Sequence, residues 1–134
     1  MYEEIFLKLD ASNQSANSHE TQEQGKILFF ELCKSLSENE VGELLNRNPS
    51  LHSSTMSVNI IEVLTMLGYP KIRRAIPWLL GFLEDTNWFG AEQAQGLLGI
   101  LNPHSYNSEL NKVLKKALSS NDKDWVCFIS IFVE

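Results

Sequence analysis

Two stretches of the chain gather groups that can do chemistry. Leu83 to Glu92 reads LEDTNWFGAE and Ser119 to Phe128 reads SSNDKDWVCF; each sets carboxylates beside an indole, and Trp88 and Trp125 both follow Asp-x-[Asn/Asp]. Glu84 with Asp85, or Asp122 with Asp124, can work as an acid/base pair only if a dry pocket raises the pKa of one carboxyl. The free amides of a helix N-terminus do the reverse and stabilise the ionised form. Both stretches fall where helices are expected to begin. Asp85, Asn87, Asp122 and Asp124 therefore read as caps, their side-chain oxygens accepting from first-turn amides.

A thiol nucleophile is the other candidate, with Cys127 or Cys33 beside His104. Cys127 lies in an apolar run, however, which is the setting of a packed thiol rather than an activated one. His19, His52 and His104 are scattered, and no His-x-x-x-His or Cys-x-x-Cys spacing occurs, so no metal site is expected. Gly96 and Gly99 form no phosphate loop; they fall inside a helix, where small residues permit close packing. Lys71 to Arg74, KIRR, reads as a solvated helix start. The chain is thus expected to carry no catalytic residue, metal or cofactor.

The elements that position these groups are helical. Period-two alternation is missing, and no Asn-Gly or Asp-Gly hairpin turn appears. A short helix near Tyr2 to Leu9 leads through the polar ASNQSANS to a second one beginning near Ser18, with Ile27, Phe30, Cys33 and Leu36 toward a core. Ser37-x-x-Glu40 has capping-box spacing and opens a short third helix. Ile60, Ile61, Leu64 and Leu67 mark the next, which Gly68 stops in a left-handed conformation ahead of Pro70. Ile72, Ile76, Leu79, Leu80 and Leu83 form one stripe, with Pro77 predicting a kink or a helix start. Ala91, Ala94, Leu97, Leu98 and Leu101 form another. The segments SELNKVLKKALSS and DWVCFISIFVE complete about seven helices, and Trp125, Phe128 and Phe132 are expected to be buried.

At 134 residues, 43% hydrophobic and 21% charged, the chain suits one domain with a real core. No apolar run is long enough to span a bilayer, and MYEEIFLKLD has no basic n-region, so a cytoplasmic protein with free thiols is expected. The net charge of −6 is unevenly spread: residues 1–70 hold ten acids against four bases, residues 71–134 seven against seven. Such a field disfavours direct nucleic-acid binding and favours a basic partner. Glu38, Glu40 and Glu43 on the third helix, with Glu20 and Glu23 on the second, are the expected partner-binding residues.

Leu67 to Leu101, LGYPKIRRAIPWLLGFLEDTNWFGAEQAQGLLGIL, resembles a HEAT-like repeat. The match rests on Leu67-Gly68, Pro70, Ala75-Ile76-Pro77, Leu79, Leu83 and Asp85, then Ala91, Ala94 and Leu97-Leu98-Gly99. Glu92 or Gln93 stands where such repeats often carry a basic residue. The resemblance implies an all-α superhelix of antiparallel helix pairs, with residues 51–134 repeat-like and 1–50 divergent. The Leu-x-Asp-x-Asn-Trp corner is similar to that of small bacterial HEAT-like domains, some of which resemble immunity proteins of contact-dependent or other polymorphic toxin systems. That resemblance implies a protein, monomeric when free, which binds and neutralises a basic toxin domain, possessing no catalytic residues of its own. A generic adaptor and a small enzyme or accessory subunit are the alternatives.

Overall fold

Local sequence sets where most helices start and stop. Ser37 Oγ accepts from Glu40 N at 3.1 Å while Ser37 N donates to Glu40 Oε1 at 3.0 Å, so the expected capping box opens the helix Glu38–Asn46. Gly68 ends Met56–Leu67 at φ 70° and ψ 174°. The positive φ is as expected, but ψ is extended rather than left-handed helical, a region open essentially to glycine alone. Pro77 is the second residue of Ile76–Leu80, so it marks a helix start and not a kink. Asp122 Oδ1 accepts from Trp125 N at 3.0 Å and caps Lys123–Val133.

The computed structural model describes residues 3–10, 19–48, 51–52, 55–85 and 88–133. Among these the fold is all-α, with eight α-helices and no strand. They are α1 (Glu3–Lys8), α2 (His19–Ser35), α3 (Glu38–Asn46), α4 (Met56–Leu67), α5 (Ile76–Leu80), α6 (Ala91–Ile100), α7 (Asn107–Ser119) and α8 (Lys123–Val133). Short 3-10 turns, Arg73–Ala75 and Gly81–Glu84, flank α5. The helices pack in two rows. α2, α4 and α6 lie side by side in one, and α3, α5 and α7 in the other; α1 rests on α2, and α8 on α7 and the Gly81–Glu84 turn.

Between the rows lies the core, with Phe29, Leu45, Ile60, Leu64, Trp78 and Phe82 almost wholly buried. Side chains of this size each stabilise the fold by about 2 kcal/mol on burial. A buried polar residue ties three elements: Asn59 Nδ2 donates to Leu9 O at 2.7 Å and to Gln22 Oε1 at 3.0 Å, joining α4 to the end of α1 and to α2. The stripes expected on α4, α6 and the α5 region are inward as read. On α8 the buried residues are Trp125 and Ile129, while Phe128 and Phe132 are only half-buried at the end of the stack. The phase of α2 differs. Its buried residues are Gly25, Lys26, Phe29 and Cys33, and Ile27 is 62% exposed. Four consecutive apolar residues, Ile27 to Phe30, permit either phase, and α1 selects one by packing directly over Gly25, where a Cβ would meet Lys8 Cβ at 2.9 Å.

Candidate partner-binding surface

The five acids expected to bind a partner do not form one patch. Glu20 and Glu23 sit at the start of α2, while Glu38, Glu40 and Glu43 follow its far end. Glu20 and Ser35 lie fifteen helical steps apart, or about 22 Å at 1.5 Å per residue.

The α3 acids are compensated within the chain. α3 packs on Lys71 to Ala75 so closely that a Cβ on Gly42 would meet Arg74 Cβ at 2.4 Å and its carbonyl oxygen at 2.6 Å. Arg73 Nε lies 3.5 Å from Glu38 Oε2, and Arg47 pairs with Glu43 at 3.7 Å. Glu40 is held below the usual carboxylate range by its bonds from the Ser37 backbone and hydroxyl, with Lys71 adding a charge contribution. Lys71 itself donates to the carbonyls of Leu36 and Lys34 at the end of α2, where a cation suits the helix dipole. Arg73 and Arg74 stay exposed at the start of the 3-10 turn, as expected of KIRR, while Lys71 and Arg73 also serve as internal partners for the end of α2 and for α3.

The row α2–α4–α6 retains its negative charge. Its helices carry five acids, Glu20, Glu23, Glu31, Glu62 and Glu92, against Lys26 and Lys34. Lys26 is 8% exposed and bonded to Glu23 at 2.6 Å and to Glu62 at 3.0 Å. Desolvation pulls its pKa down, but the hydrogen bonds and charges of the two carboxylates outweigh that and leave it raised. Its hydrogen bond in turn lowers Glu23. Lys34 pairs with Glu31 and covers the Phe30 ring.

Along this face run two adjoining grooves. One, of about 550 Å³, lies between α4 and α6, lined by Val58, Ile61, Met66, Leu97 and Ile100, with Gly96 in its wall. The other, of about 300 Å³, lies between α2 and α4 and is lined by Ile27 and Phe30 with Glu23, Glu31 and Lys26. Glu62 and Met66 border both, so the grooves adjoin across α4. Met66 is 56% and Ile100 72% exposed. Clustered apolar exposure with a polar border makes this face a candidate contact surface. Charge along the chain points to α2 and α3. Of the apolar lining, only Ile27 and Phe30 depend on the phase of α2, which the sequence leaves open, while the rest comes from α4 and α6.

The two tryptophan corners are dissimilar. Asp122 is the cap it was expected to be. Asp124 is the second residue inside α8, where it acts only as a first-turn acid. Asp85 does not cap a helix beginning near Trp88, because α6 begins at Ala91 with Gly90 as its N-cap at φ 82°. Asp85 instead ends the preceding 3-10 turn, and its backbone carbonyl accepts from Trp88 N at 3.2 Å. Asn87 lies outside the described residues. A Cβ on Gly90 would meet Ser57 Oγ at 2.6 Å, and that hydroxyl donates to Phe89 O at 2.6 Å, so α4 fixes this corner.

His52, which carries no sequence signal, is sandwiched between Trp78 and Trp88 with ring centroids 5.1 and 5.5 Å away, and Phe82 meets it edge-on. Its Nε2 lies 2.6 Å from the Trp78 carbonyl oxygen, which can only accept, so this nitrogen carries the proton. The ring is a packing element of the corner. Cys33 is buried in α2, and burial pushes its thiol up to about 12; Cys127 is exposed on α8. Among the described residues no group of three His, Cys, Asp or Glu is placed to hold a metal, and no helix is long and apolar enough to cross a membrane. No family model, curated protein or solved structure matches the chain.

Proposed function

We propose that this chain is a non-enzymatic, cytoplasmic protein-binding module that works by covering part of a basic partner. The observation that carries this reading is the α2–α4–α6 face, where an apolar groove is bordered by acids that outnumber the bases on the same helices. Apolar contact supplies affinity, and the negative border steers a cationic partner and fixes its orientation. The resemblance to small bacterial immunity proteins gives the concrete case. The partner is then a toxin domain whose positive surface, built to hold RNA, DNA or another anion, is occupied without any chemistry.

The test uses the protein encoded immediately beside this chain. Expressed alone it should be toxic, and co-expression with this chain should restore growth and yield a stable complex. The association rate of the purified pair should fall as salt rises, since long-range attraction between exposed charges is screened. A neighbour that is harmless and forms no complex overturns the toxin case. A complex whose association is insensitive to salt removes the electrostatic part of the reading.

A further inference from the structure

The glycines of α6 carry information about what covers this face. Gly96 and Gly99 sit inside a ten-residue helix, where glycine is the costliest residue other than proline. Glycine is retained in such places when another backbone must come close, as Gly42 and Gly25 show elsewhere in this chain. No such neighbour exists for α6 among the described residues. A Cβ built on Gly96 or Gly99 meets nothing there within 4 Å, so the expected close packing inside the chain is not found. Gly96 is nevertheless part of the groove wall opposite α4. The close approach that its missing side chain permits is one made from outside.

Length and charge narrow the visitor. From Val58 to Met66 the α4 wall runs eight residues, about 12 Å, or just over two turns of helix. Two turns present apolar residues at i, i+4 and i+7, the spacing by which an amphipathic helix lies in a groove. Among the described residues Glu62 is the one charged side chain lining the α4–α6 groove, and it is more than half exposed; Glu23 and Glu31 continue the border on α2. Since Lys26 is shared by Glu23 and Glu62 while Lys34 pairs with Glu31, the three acids keep an excess of one negative charge over those two lysines. α4 and α6 carry no base at all.

We infer that the α4–α6 groove receives an amphipathic helix of the partner, its apolar stripe on Ile61, Met66 and Ile100, its backbone against Gly96 and its flanking lysines or arginines toward Glu62, Glu23 and Glu31. This rests on the protein-binding reading above and adds the form of the bound segment. Close helix approach accounts for the glycine, and a cationic flank accounts for the border.

A pair of synthetic helical peptides tests it with the full chain. Each has about 14 residues, four turns, with leucines at i, i+4 and i+7; one has lysines on the flanks and its twin has glutamates. The lysine peptide should bind at least about tenfold more tightly than its twin. Its binding should shift the methyl resonances of Ile61, Met66 and Ile100. Gly96→Leu should raise the thermal midpoint, because leucine is the better helix former, while weakening the peptide about tenfold or more by filling the groove. Gly96→Ala should do the same on a smaller scale. A variant that folds better yet binds worse cannot be explained by damage to the fold. Equal affinity for the two peptides, shifts confined to other helices, or unchanged binding by Gly96→Leu overturns the inference. So does a dimer of this chain that Gly96→Leu dissolves, since the occupant is then a second copy. If the neighbour-encoded protein forms its complex without shifting these methyls, helix-in-groove binding fails and the protein-binding reading stands. If the lysine peptide binds as described but the neighbour does not, the groove stands and the toxin case fails.

Discussion

Two acidic regions of this molecule have opposite fates. On α3, Glu38 pairs with Arg73 and Glu40 feels Lys71, both brought from some thirty residues away, while Glu43 pairs with Arg47 at the end of its own helix. The close approach of Gly42 to Arg74 holds the two segments together. On α2, α4 and α6, five acids face two lysines, one of them tucked beneath Glu23 and Glu62. Charge counted along the chain makes α3 the most acidic site. Packing makes it one of the better neutralised. The surface we propose for a basic partner is the other one, and there the acids border exposed Ile27, Met66 and Ile100.

The strongest way to break this contrast is to pry α3 from its bases. Gly42→Ala places a methyl where Arg74 Cβ and its carbonyl already lie, so overpacking should cost about 3 kcal/mol, read as a lower denaturant midpoint. The same change at Gly99, on the open row, should have the opposite sign. Its Cβ enters free space, and the gain in helix propensity should stabilise the fold by about 1 kcal/mol, measured the same way. Equal signs at the two positions would remove the distinction between a closed and an open row.

The smallest effect is that of pH. Glu23 and Glu40 are lowered from 4.5, so their contribution is fully present above pH 4.5 and is lost as pH falls through their depressed values. Lys26 is raised from 10.5, so its contribution is present below pH 10.5 and is lost as pH rises through its elevated value. A stability profile should therefore be flat between about pH 5 and about pH 10 with respect to these three groups and fall slightly outside that window. Glu23→Gln with Glu40→Gln should flatten the acid edge.

What could be read from the sequence was local. Ser37-x-x-Glu40, Pro77 and Asp122 act through neighbours a few residues away, and each does what its spacing implied. Asp85 lies six residues ahead of α6, which begins at Ala91, and that start is held by a distant contact in which Ser57 bonds Phe89 and crowds Gly90. Asp122 bonds within its own corner, so two corners with similar sequences differ. The phase of α2 was open for the same reason, four successive apolar residues waiting on α1 to choose. Compensation of α3 and the adjoining of the two grooves across α4 depend wholly on which helices become neighbours. Neither has a signature in the order of residues.

The most direct test compares the two regions against one partner. Met66→Asp with Ile100→Asp changes two exposed residues of the open row, and Glu40→Gln with Glu43→Gln neutralises two acids of α3 while leaving the capping box able to form. Both pairs should fold with unchanged helical spectra. Titrated against the neighbour-encoded protein, the first pair should weaken binding by about a hundredfold, the loss of two apolar anchors, and the second by less than about threefold. If the α3 pair abolishes binding and the groove pair leaves it intact, the contact lies on α3 and the open row is not the binding surface.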